Sequence, residues 1–161
     1  MRYTEEKDSG GTTMIAIGSD HGGYALKQEI MEHLKAQGVE YKDYGTYSTE
    51  SCDYPIYAEA VGRAVVAGEA DRGILICGTG IGISIAANKI RGVRAALCGD
   101  CYSAEYTRLH NDANILCMGG RVVGGGLAEK IVDTFLNTEF QGGRHARRVA
   151  MIAALEEKER A

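Results

Sequence analysis

Apolar positions along the chain fall into two alternating patterns. Short unbroken apolar runs, as in strands buried on both faces, alternate with stretches where apolar residues recur every three or four positions, as in helices with one buried face. Met14 to Gly18 reads as a first strand and Ser19 to Gly23 as its turn; Leu26, Ile30 and Leu34 mark a helix closing near Gly38. Val39 to Tyr44 reads as a second strand, followed by a polar loop, Gly45 to Asp53. Asp53 can cap a helix that holds Pro55 in its first turn and runs to about Gly68. Ile74 to Ile76 forms a third strand ending at Cys77, and glycines 78, 80 and 82 separate it from a helix over Ile83 to Lys89. Val93 to Cys98 and Ile115 to Met118 supply two more strands, with a helix from about Tyr102 to Leu109 between them. Leu127, Ile131 and Phe135 mark another helix, and the last runs from about Arg144 to Glu159 with Val149, Ile152 and Leu155 on one face.

Strands alternating with helices predict an α/β fold: a five-stranded parallel sheet covered on both faces. Residues 1–13 are polar, lack periodicity and contain Gly10-Gly11, so they read as a disordered leader; residues 14–161 read as one domain. A length of 161 residues suffices for one real core. The high glycine count, 22, against a single proline suits many tight turns between regular elements. A net charge of −4 argues against general nucleic-acid binding. No apolar run is long enough for a bilayer and no signal-peptide pattern appears, so the expected location is cytoplasmic and the five cysteines are expected to be reduced. Cys98 and Cys101 have C-x-x-C spacing, but no second such pair or paired histidine motif accompanies them. They read as structural thiols, with a redox or metal role as the alternative.

The chemistry concentrates at the end of the third strand. A strand, a glycine turn and a helix in succession make a nest of N–H groups suited to an anion. A thiol at such a position ionises more readily than a free one. The spacing is G-x-G-x-G rather than G-x-G-x-x-G, and no acidic residue stands where a ribose hydroxyl would need it, so a dinucleotide site is disfavoured. A glycine turn serving only strand–helix packing remains open. In open parallel sheets ligands bind outside the carboxyl ends of the strands. On that basis the turns holding Asp20-His21, Cys77 and His110-Asn111 are expected to meet on one edge. Taken singly, each has a plainer role: Cys77 as inert core, Asp20 as a helix N-cap, His110 as a helix C-cap. Arg144 and Arg148 lie four apart, on one face of a helix start where basic charge is unfavourable unless an anion binds nearby.

Five motifs in order then carry a resemblance: Gly18-Ser-Asp20-His21-Gly-Gly, Asp53-Tyr54-Pro55, Ile76-Cys77-Gly-Thr79-Gly-Ile-Gly-Ile-Ser-Ile-Ala-Ala-Asn88-Lys89, Arg108-Leu-His110-Asn111-Asp112 and Gly142-Gly-Arg144-His. From Met14 to about Glu157 the chain resembles the type B ribose-5-phosphate isomerases and the related galactose-6-phosphate isomerase subunits. The resemblance implies a Rossmann-like three-layer sandwich, forming a homodimer or dimer of dimers with active sites shared between subunits. It implies an aldose–ketose isomerase acting on ribose 5-phosphate and ribulose 5-phosphate through a cis-enediolate, with no cofactor and no metal. By the same resemblance Cys77 is the general base, Thr79 assists proton movement at the sugar oxygens, and Asp20 and His110 open the furanose ring. Asn111 and the loop of Gly78, Gly80, Ile81 and Gly82 would bind the enediolate. His21, Arg121, Arg144 and Arg148 would hold the phosphate, some of them from the partner. A six-carbon substrate such as allose or galactose 6-phosphate is the rival within the enzyme class. A non-catalytic phosphate- or nucleotide-binding module is the rival outside it.

Overall fold

The structure is a computed structural model that describes residues 13–161, so the leader expected over 1–13 lies, but for its last residue, outside the described residues. Five parallel strands, β1 (Met14–Ser19), β2 (Glu40–Asp43), β3 (Arg72–Cys77), β4 (Ala95–Leu97) and β5 (Ile115–Gly119), form one sheet in the order β2-β1-β3-β5-β4. The helices are α1 (Tyr24–Ala36), α2 (Tyr54–Val66), α3 (Ile81–Ala87), α4 (Cys101–Asn111), α5 (Gly125–Asn137) and α6 (Arg144–Arg160). Leu26, Ile30 and Leu34 of α1 pack with Ala104 of α4 and Ala128, Ile131 and Phe135 of α5 on one face of the sheet. Ala58, Val61 and Ala64 of α2 join Ile83 and Ala87 of α3 on the other. The expected three-layer α/β sandwich is therefore observed.

Several boundaries differ from the pattern-based expectation. Helix α3 begins two residues early, at Ile81, because Gly80 takes the left-handed N-cap conformation (φ 78°) and its carbonyl accepts from the Ser84 amide. A side chain at Gly80 would also press on the backbone of Met118, with a Cβ 2.7 Å from its carbonyl carbon. The helix stops at Ala87 because the Asn88 side chain turns aside to β4. There its Nδ2 donates to the Ala95 carbonyl (2.9 Å) and its Oδ1 accepts from the Ala95 amide (2.8 Å). Strand β4 is shorter than the apolar run Val93 to Cys98: the Arg94 amide donates to Asn114 Oδ1 instead of to a strand. Asp53 holds the N-cap position of α2 with Pro55 in the first turn, but its carboxylate makes no capping bond.

Helix α6 stands apart. Only His145 of its residues is buried, while Met151, Ile152 and Leu155 are exposed. It rests on α4, and its far end is tethered by the Arg91–Glu157 ion pair and by a bond from the Gly92 amide to Glu156. No helix among the described residues is long and apolar enough to cross a membrane.

Candidate active site

Strand order reverses at β1: β2 lies on one side of it and β3 on the other. The crevice at the carboxyl ends of β1 and β3 is thus the place where this class of sheet binds ligands. Ile74, Leu75 and Ile76 are fully buried and hold β3 rigidly, so Cys77 emerges at that crevice in a fixed position, itself 4% exposed. The Gly80 amide donates to Cys77 Sγ at 3.1 Å. Such a bond strengthens when the acceptor carries charge. Thr79 Oγ1 accepts from the Ile81 amide at 3.2 Å, which commits another loop donor. Across the crevice, Asp20 is buried, and its Oδ1 accepts from the Gly23 amide at 3.1 Å. Gly23 itself presses so closely on the Ile76 carbonyl that a side chain there would collide with it. Asp20 is therefore not the N-cap of α1, a position held by Gly23, although its carboxylate does satisfy that residue's amide.

Arg121, just past β5, closes the crevice. Its own amide donates to the Gly78 carbonyl (3.0 Å), and its guanidinium lies 3.2 Å from where a Gly78 side chain would begin. Arg121, Arg144 and Arg148 form no ion pair among the described residues, unlike Arg63, Arg91, Arg94 and Arg108. An arginine without a carboxylate is free to bind an external anion.

Two of the other thiols, Cys98 and Cys117, are poor competitors for chemistry. Burial, with Asp100 nearby, pushes Cys98 up to about 11, and burial also pushes Cys117 upward. All five cysteines are free, Cys98 and Cys101 included. Among the described residues no three His, Cys, Asp or Glu side chains gather as a metal site.

The structure corrects one expectation: within a single chain His110 and Asn111 do not meet Cys77. They end α4, which descends from the carboxyl end of β4, so they arrive at the amino end of β5. Asn114, next after that turn, accepts at its carbonyl from the Gly73 amide at the start of β3, whereas Cys77 ends the same strand. Four residues of strand, roughly 13 Å, separate the two levels. Arg144 and Arg148 go with His110. The His145 ring stacks on His110 at 4.0 Å and 10°, and Tyr106 meets His110 edge-on at 5.0 Å. His145 is held below the ordinary histidine value by burial first, then by His110, Arg144 and Arg148. The predicted residues therefore form two groups. Asp20, His21, Cys77, Gly78, Thr79, Gly80, Ile81, Gly82 and Arg121 lie at the carboxyl edge; His110 and Asn111 at the end of α4 go with Arg144 and Arg148 of the first turns of α6.

Sequence reasoning missed what supports each group. Asp112, in the left-handed conformation at φ 47°, follows Asn111 and is gripped from two sides. Arg108 NH1 donates to its Oδ1 at 2.9 Å, and Arg94 NH2 to its carbonyl at 2.9 Å. Lys27, fully buried, donates to Asp43 Oδ1 and to the Thr46 carbonyl, both at 2.6 Å, and so fastens the loop after β2 to α1. A signal existed for Lys27: it lies three residues before Ile30 and seven before Leu34, on the buried stripe.

A parallel sheet with a thiol and a glycine loop at its switch point defines an α/β fold of Rossmann-like topology. Residues 15–152 match the family model described as Ribose/Galactose Isomerase. Ribose-5-phosphate isomerase B of Escherichia coli is 56% identical over 144 residues, covering 89% of this chain and 97% of that protein. The solved structure of ribose-5-phosphate isomerase B from Clostridium thermocellum superposes with a TM-score of 0.91 at 59% identity, over 91% of this chain and 99% of that one. That of the Mycoplasma genitalium enzyme, with bound ribulose-5-phosphate, superposes at 0.86 and 44% identity, over 90% and 97%. The chain belongs to the Ribose/Galactose Isomerase family and is an isomerase.

Proposed function

We propose that the protein interconverts ribose 5-phosphate and ribulose 5-phosphate through a cis-enediolate, with Cys77 as the base. The sulfur takes the proton from C2 of the open-chain aldose, the electron pair moves into the C1–C2 bond, and the carbonyl oxygen becomes an oxyanion. Return of the same proton to C1 gives the ketose, while the hydroxyl proton passes between O2 and O1 by way of Thr79. The uncommitted amides of the glycine loop face the developing oxyanion, and each such donor contributes on the order of 3 kcal/mol. Arg121 and His21 take the phosphate, whose binding holds the open chain against the base. Among the described residues, the observation that carries this reading is the placement of Cys77 at the switch point, with the Gly80 amide on its sulfur and Arg121 beside its loop.

Ring opening needs an acid–base group near the ring oxygen, and His110 of the same chain lies at the wrong end of the sheet. We therefore assign that role to His110 of the partner subunit, with its Asn111 on the enediolate and its Arg144 and Arg148 on the phosphate. Each site is then built from two chains. The unpaired arginines and the exposed stripe Met151, Ile152 and Leu155 support this assembly. A coupled assay across five- and six-carbon aldose phosphates, run with a chelator, tests the substrate. Preferred turnover of ribose 5-phosphate is expected; preference for allose or galactose 6-phosphate would replace it with the six-carbon reading. No turnover of any sugar phosphate would leave a binding module.

A further inference from the structure

We propose that His21 meets the phosphate as a fixed Nε2–H donor, its tautomer set by the main chain of the loop between β2 and α2. This deepens the reading above and rests on it for the identity of the anion. The Cys52 amide donates to His21 Nδ1 at 3.2 Å. A ring nitrogen that accepts a hydrogen bond carries no proton, so in the neutral ring the proton sits on Nε2. The Cys52 thiol is 4.0 Å from the same nitrogen, too distant to displace the amide, so the bond does not depend on residue 52 being cysteine.

His33 shows the contrast. Its Nε2 lies 2.7 Å from Asp133 and its Nδ1 3.8 Å from Glu129, so both ring nitrogens face carboxylates and no backbone amide sets the tautomer. No carboxylate among the described residues lies within ion-pair reach of His21. The ring offers the phosphate a donor in a set direction, and Arg121 and its fellow arginines bring positive charge.

The same bond has a second effect. At its near end the loop is pinned by the Ser19 amide on the Gly45 carbonyl (2.7 Å), by the Thr46 amide on the Ser19 carbonyl (2.8 Å) and by Lys27. At its far end the Cys52 amide is held by His21. One imidazole thus bridges the phosphate on Nε2 and the loop on Nδ1. Hydrogen bonds in such a chain polarise one another, so an anion on one side firms the anchor on the other.

The test uses the full chain labelled with nitrogen-15 at histidine, at a pH well above the ordinary histidine range, with inorganic phosphate as the probe. The His21 ring signal is the one lost in His21→Asn. Long-range proton–nitrogen correlation is expected to show Nε2 protonated and Nδ1 bare, with and without phosphate. A protonated Nδ1 would overturn the proposal. Two variants extend the test. His21→Asn keeps an acceptor near Nδ1 and should preserve slow exchange of the Cys52 amide while weakening phosphate binding about tenfold. His21→Gln reaches the Nε2 position and should bind phosphate more tightly than His21→Asn while the Cys52 amide loses protection. Equal exchange at Cys52 in both variants would also overturn the proposal. Wild-type protein that shows the expected tautomer but binds no phosphate would sink the phosphate reading of the site and leave the tautomer assignment intact.

Discussion

Around Cys77 three polar groups are engaged within the chain: the buried sulfur with Gly80, the buried Asp20 with Gly23, and the exposed Thr79 with Ile81. Around His110 the contacts are of another kind. Two imidazoles lie face to face, two arginines have no carboxylate, and an apolar helix stripe meets solvent. The first region is finished within one chain by β-strand ends that the core holds in place. The second is rigid at its root, where Arg94 and Arg108 grip Asp112, and open at its working surface. On the roles proposed above, the base is positioned by folding within one chain, together with His21 and Arg121, whereas His110, Arg144 and Arg148 are offered outward.

Removing the base should give the largest effect. Cys77→Ala is expected to lower kcat by about 10³-fold, within the usual range for a lost acid–base group, with ribulose 5-phosphate still bound in calorimetry. Near-normal turnover would remove Cys77 from its role. His110→Ala should cost less and selectively, about 10²-fold with cyclic ribose 5-phosphate and far less with open-chain ribulose 5-phosphate at matched saturation. Equal losses with both substrates would detach His110 from ring opening.

Mixing separates the two regions directly. Inactive Cys77→Ala chains combined with inactive Arg144→Ala/Arg148→Ala chains should regain about a quarter of wild-type activity: half the dimers are mixed, and one of their two sites is whole. No recovery after verified subunit exchange would return the arginines to their own chain's site. The smallest expected effect is on acid stability. The folded chain holds His145 below its ordinary value, so the unfolded chain takes up the proton first as pH falls. Stability from this source is complete above about 6.5 and is lost as pH drops from there through the lower folded value. His145→Phe keeps a stacking ring, and its Tm should vary less with pH across that window.

Much of this was legible in residue order. The run Ile74 to Ile76 followed by three spaced glycines announced both the central strand and its anion loop, because a buried strand and a tight turn leave local marks. The expectation that His110 shares the edge of Cys77 failed because it overlooked connectivity: a helix after a parallel strand carries the chain back to the amino end before the next strand begins. What left no local mark were bonds across long separations. Cys52 meets His21 from 31 positions away, and Arg108 reaches the Thr138 carbonyl across 30. No periodicity encodes such pairs, since they depend on how loops settle once the layers have packed.

The Asn88 side chain has a consequence for how this molecule can meet its neighbours. By accepting from the Ala95 amide and donating to the Ala95 carbonyl, it impersonates the strand that an open sheet edge would otherwise recruit. With β4 only three residues long, little main chain is left there for a stranger to zip onto. At Ala95 the sheet is closed by a side chain instead of a strand, so a partner on this flank meets at most the short main chain around Leu97.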